Sequence, residues 1–243
     1  MKNPRIFTLV AVLVFLPLSV CFSMPGLGVV GNGKVVESER TVSAFTGIAS
    51  GGSAEVRVHR AKATRVVVTT DENIQEYFNA EVSGGVLSLG YKPVTMISRV
   101  TKLVVDVYMP SLEAITVSGS GNMSLVDSFK GDSFSATVSG SGSFAGSINY
   151  DTVAVKLSGS GKVRLDGSSD RLTVVVSGSG KFDCARLSTK SADMILSGSG
   201  DAELTVSGRL DARISGSGSV RYGGKPEVNA SISGSGRVRN TGK

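Results

Sequence analysis

At 243 residues, with 40% hydrophobic and 19% charged side chains, the chain is long enough for one sizeable core and short for two. Val, Ser, Thr and Gly dominate over helix formers, which points to an all-β protein. One His and two Cys exclude a four-ligand structural zinc site, and the net charge of +6 is scattered rather than striped, which excludes nucleic acid as a partner.

The first 23 residues stand apart. Lys2 and Arg5 precede an apolar run from Ile6 to Val20, and Cys21-Phe22-Ser23 places small residues three and one positions before Met24. This reads as a secretory signal peptide, residues 1–23, cut after Ser23. The run is short of the ~20 apolar residues of a membrane span, and no later segment approaches that length. The alternative is a lipoprotein box at Leu18-Ser19-Val20-Cys21 with a lipid on Cys21, which Val20 fits poorly. Both readings place the mature protein outside the cytoplasm: in the periplasm, at the cell surface or secreted. Cleavage leaves 24 Lys and Arg against 20 Asp and Glu, a net +4, and Cys184 without a disulfide partner.

Residues 24–39 read as a linker and 40–243 as one domain, irregular over 40–112 and regular over 113–243. Strand candidates in the irregular part are Ala54–His59, Arg65–Thr70, Glu81–Leu89 and Lys102–Met109. Asp71–Phe78 is the one helix candidate, with Asp71 as N-cap and Ile74, Tyr77 and Phe78 at helical spacing. SGGS at 50–53 resembles a degenerate copy of the repeat that follows, so this section is expected to continue or cap it. His59, with no Ser, Cys or carboxylate motif nearby in sequence, reads as a packing or surface residue.

From Ser118 onward the tetrapeptide SGSG recurs at Ser139, Ser158, Ser177, Ser197, Ser215 and Ser233, at intervals of 21, 19, 19, 20, 18 and 18 residues. A Gly/Ser run alone suggests a flexible tether. Its flanks exclude that. The preceding residue is apolar in all seven copies (Val117, Val138, Leu157, Val176, Leu196, Ile214, Ile232), as is the residue three before. The second residue after each copy is apolar as well (Met123 in the first, Val238 in the last), with mainly polar or charged neighbours. This period-2 alternation in stacked columns predicts a right-handed parallel β-helix, a β-solenoid of about seven coils of ~19 residues. Both glycines of each copy are expected inward and both serines outward. The last copy is followed by seven residues, so that end is expected to be open, with homo-oligomer formation through the exposed solenoid ends as a consequence.

The stretches FTGI, GSAEVRV, VVVTTDENI, VSGGVLSL and VVDVYMPSLEAITVSGSG, followed by the SGSG coils, resemble the bacterial putative auto-transporter adhesin head GIN domain family over roughly residues 40–239. Asp71–Ile74 and the Pro110-Ser111-Leu112 turn carry the resemblance most specifically. It implies an exported β-helical domain and little about chemistry.

The site candidates come from stacking. The third residue after each SGSG puts Asp183 and Glu203 on adjacent coils between Arg164 and Arg221, with Lys181 and Asp201 in the next outward column. Paired carboxylates near a base could hold Ca²⁺ or work as acid and base; an exposed ladder of opposite charges is the simpler reading. Cys184 falls on an inward column beside Leu165 and Leu204 and reads as a buried thiol. From residue 221 on, Arg221, Lys225, Arg237, Arg239 and Lys243 face only Glu227, a basic end suited to solvent or to an anionic envelope surface. No cofactor or metal is expected. The functional expectation is a non-enzymatic exported adhesin or envelope-binding module whose partners are glycans or other cell-surface components. The rivals are a carbohydrate-active β-helix enzyme and a self-associating envelope scaffold.

Overall fold

A computed structural model of the chain describes residues 28–93 and 96–242; the expected signal-peptide cleavage site and Cys21 lie outside the described residues. The irregular section holds β1 (Val29–Val30), β2 (Val35–Arg40), β3 (Gly47–Gly52), β4 (Glu55–Arg60), β5 (Arg65–Asp71), β6 (Phe78–Ser83), β7 (Val86–Tyr91), β8 (Ile97–Arg99) and β9 (Leu103–Met109). The regular section holds β10 (Ala114–Gly119), β11 (Asn122–Leu125), β12 (Phe129–Gly140), β13 (Ser143–Gly159), β14 (Lys162–Gly178), β15 (Lys181–Gly198), β16 (Asp201–Gly216), β17 (Ser219–Gly223), β18 (Glu227–Ser233) and β19 (Arg237–Asn240).

The regular section is a β-solenoid. Each coil pairs in parallel with the next, and every SGSG sits on its counterpart: Ser139 on Ser158, Ser158 on Ser177, Ser177 on Ser197, Ser197 on Ser215. The expected columns are the core. Val117, Val138, Leu157, Val176, Leu196 and Ile214 are each no more than 2% exposed. Met123, Phe144, Val163, Phe182, Ala202 and Val220 form a second buried column. Full burial of one such aliphatic side chain contributes about 1.5–3 kcal/mol, so repetition of a modest unit supplies the stability.

The corner differs from expectation in one respect: only the second glycine points inward. Gly121, Gly142, Gly161, Gly180, Gly200 and Gly218 are buried, whereas the first glycines lie at or near the surface. The first glycine turns the chain in the left-handed region, with φ from +98° to +122° over the seven copies. Its carbonyl points along the stack and accepts from the coil above, as Gly119 O does from the Ser141 and Gly142 N–H groups. The second glycine is required by proximity: a Cβ on Gly142 would lie 2.4 Å from Gly121 O.

The N-terminal section both continues and caps the stack. β3 lies parallel to β10 with Gly51 against Ser118 and Gly52 against Gly119, so GGSA at 51–54, one residue on from the SGGS seen in sequence, is the layer beneath the first SGSG. β4 likewise underlies β11 and is itself underlain by β9. Pairing then turns antiparallel: β9 with β5, β5 with β2, and β6 with β7. Glu81–Leu89 is therefore a hairpin, β6 and β7, turned by Gly84 and Gly85 at positive φ. The described part of the 24–39 stretch is not a plain linker, because β2 completes this cap from Val35. Asp71–Phe78 is also not a helix. A single 3₁₀ turn covers Glu72–Ile74, and Phe78 already begins a strand. Asp71 caps no turn N–H there.

Candidate outward binding face

Eleven strands share one outward face. Their hydrogen-bonded order is β2, β5, β9, β4, β11, β13, β14, β15, β16, β17, β19. At ~4.8 Å between strands the face runs about 48 Å. In the regular coils the inner neighbours of the outward residues are buried core side chains such as Val163, Phe182 and Ala202, so side-chain position there is fixed by the columns beneath.

The expected charged column forms. Arg164 pairs in register with Asp183, Asp183 with Glu203, and Glu203 with Arg221, and Lys181 with Asp201 beside them. Arg164 Nη2 donates to Asp183 Oδ2 at 2.8 Å, with Lys162 Nζ 4.0 Å from the same oxygen. Arg221 lies 3.5 Å from Glu203 and 4.0 Å from Asp201. Burial works against ionisation of Asp183, but the hydrogen bond and charge of Arg164, with Lys181 and Lys162 behind it, outweigh that and hold its carboxyl below the usual carboxylate range. A general acid for glycoside cleavage needs the opposite displacement. Among the described residues, no three His, Cys, Asp or Glu side chains are grouped to hold a metal ion.

Nearer the cap, the face holds a cluster that local sequence reasoning missed. His59 Nε2 lies 2.8 Å from Asp106 Oδ1 and its ring stacks on Tyr108 at 4.6 Å. Arg65 covers Tyr108 from the next strand, its guanidinium carbon 4.3 Å from the ring centroid. His59 and Arg65 both lie opposite Tyr108, on the two strands that flank β9. Both sides of the Tyr108 ring are thus taken, and the cluster extends the charge ladder rather than offering an open aromatic platform. Its sequence signal was the shared alternation of EVRVHR and VVDVYM, which stack although 43 residues of chain, 61–103, lie between them.

Two further groups are structural. Asp71, fully buried, accepts from Gly33 N–H, Thr101 N–H and Thr101 Oγ1, each at 2.7 Å. The Thr101 N–H and then its hydroxyl hold the Asp71 carboxyl below the usual range against the effect of desolvation, with Gly33 N–H assisting. This carboxylate ties two distant loops to the end of β5. Cys184 is fully buried and unpaired, and desolvation pushes its thiol up, so it is not a nucleophile.

A family model described as "Putative auto-transporter adhesin, head GIN domain" matches residues 44–226. None of the curated proteins is similar enough to match. Among solved structures, the chain resembles a putative lipid binding protein from Parabacteroides distasonis at 27% identity and TM-score 0.75, over 88% of this chain and 99% of that one. It also resembles a putative adhesin from Bacteroides fragilis at 21% identity and TM-score 0.83, over 88% of this chain and 100% of that one. A putative adhesin from Parabacteroides merdae is similar at 21% identity and TM-score 0.71, over 89% and 100%. The two adhesin likenesses bear on the fold alone.

Proposed function

The chain belongs to the putative auto-transporter adhesin, head GIN domain family, and from that premise we propose that it is an exported, non-enzymatic binding module of the bacterial envelope. Its ligands are glycans or other extended surface polymers, held along the outward face. The observation that carries this reading is the continuous hydrogen-bonded pairing of eleven strands from β2 to β19. A rigid array of polar side chains at ~4.8 Å spacing suits a repeating polymer more than a compact small molecule. Against the carbohydrate-active enzyme stands the ion pairing of both candidate carboxylates, Asp183 with Arg164 and Glu203 with Arg221.

Lipid binding is the second reading, favoured by the 27% likeness to a protein named a putative lipid binding protein. The core columns are filled with side chains, so lipid would have to be met on the surface. The test is a panel of envelope polysaccharides, matrix proteins and anionic or neutral vesicles, with polysaccharide cleavage assayed in parallel. Saturable binding to a polysaccharide or matrix protein without cleavage is expected. Binding to vesicles alone moves the assignment to lipid; cleavage abolished by Asp183→Asn with Glu203→Gln moves it to an enzyme; no binding anywhere sinks it.

A further inference from the structure

The two ends of the solenoid carry opposite charge on the same face. Among the described residues, β2 pairs only with β5 and β6 only with β7, leaving their outer edges free at the capped end. At the other end β19 pairs only with β17 and β18 only with β16. On the outward face β19 presents Arg237 and Arg239, with Arg239 stacked on Arg221. Neither has an acidic partner among the described residues, and with Arg221 they line a cleft of about 90 Å³. Like charges on neighbouring rungs are unfavourable unless an acid is placed on the next rung. At the capped end, β2 presents Glu37 and Glu39 outward; Glu39 makes only a loose 3.9 Å contact with Arg65 and is 63% exposed.

We propose that these ends dock on one another in successive copies, head to tail, with β19 of one copy continuing into β2 of the next. Strand direction permits it: β2 is antiparallel to β5, which is antiparallel to β9, which is parallel to β4 and so to the coils. β2 therefore runs the same way as β19, and a translated copy extends the parallel stack with its outward face still outward. Glu37 and Glu39 meet Arg237 and Arg239, one residue apart on each side. The second edge agrees. β18 exposes inward-type residues, Val228 at 37% and Ile232 at 44%, while β6 offers half-buried Val82 and Ala80 and the core residue Phe78. An antiparallel β18–β6 pair with Ala230 against Ala80 sets Val228 on Val82 and Ile232 on Phe78. Such a heterologous contact does not close on itself, so the product is an open-ended chain of copies. This inference is independent of which ligand the outward face binds.

The experiment is sedimentation velocity of the mature protein from micromolar to millimolar concentration, at low and high salt. Assembly that grows with concentration and recedes with salt is expected. Arg237→Glu with Arg239→Glu, and separately Glu37→Arg with Glu39→Arg, are each expected to remain monomeric. Mixed in equal amounts they are expected to assemble again, because each acidic tail then faces a basic head. This mixing also shows that both variants are folded. A wild-type protein monomeric throughout, assembly indifferent to both reversals, or a mixture that stays monomeric overturns the proposal.

Discussion

The two glycines of the SGSG corner answer to different physical demands that their sequence does not distinguish. Gly140 needs both conformation and room, turning the chain at φ +100° with a Cβ position 2.6 Å from Gly119 O, while Gly142 needs room alone, being held by its distance from the carbonyl below. Gly142→Ala is expected to destabilise the fold by about 1–3 kcal/mol through overpacking against backbone that cannot yield. Gly90→Ala, where a Cβ meets nothing within 4 Å, is the control and is expected to change little. Thermal denaturation of the two variants decides it; equal effects would refute the corner geometry. Asp71 supplies a pH prediction. Its carboxyl is held low in the fold, so its contribution is fully present above the unfolded value of about 3.9 and is lost as pH falls through the folded value. Asp71→Asn is expected to be less stable at neutral pH and to lose part of the acid-side slope; unchanged acid unfolding would contradict the role. Asp71 was misread in sequence as a helix cap because DEN before an apolar residue is a cap signal. Its real partners, Gly33 and Thr101, lie 38 and 30 residues away, where no local pattern reaches.

Among elements, the regular coils were legible because equal repeat length carries register. Counting residues after each SGSG was enough to place Arg164 against Asp183 and Glu203 against Arg221. The cap was not legible for the converse reason: between β3 and β10 the chain turns back twice, and an antiparallel hairpin leaves the same alternation in sequence as a single long strand. The His59, Asp106, Tyr108 and Arg65 cluster went unseen with it. Element-scale energetics give two expectations. Leu172→Ala, at a fully buried column position, is expected to cost about 2–5 kcal/mol. The Arg164–Asp183 pair, with Arg164 about half exposed at 51%, is expected to show a coupling of about 0.2–1 kcal/mol in a double-mutant cycle, falling with salt. Chemical denaturation checks both. A coupling several times larger would mean that the ladder is a structural clasp rather than a solvated face.

For the whole molecule, the buried columns and the outward face divide the work: the columns set position, and the face is left free to vary in chemistry. On the proposed reading, recognition falls to the side chains after the corner, where charge changes from Lys162 and Arg164 through Asp183 and Glu203 to Arg237 and Arg239. The most direct measurement is equilibrium binding of the polymer that emerges from the panel, by two folded variants. One carries Lys162→Glu with Arg164→Glu on the proposed face; the other carries Thr137→Glu with Lys156→Glu on the strands before the corner. The first is expected to bind at least about tenfold more weakly, a change of about 1.4 kcal/mol, and the second to bind as the wild type does. Equal affinity for the two variants, or a loss confined to the second, would contradict the assignment of binding to the eleven-strand face.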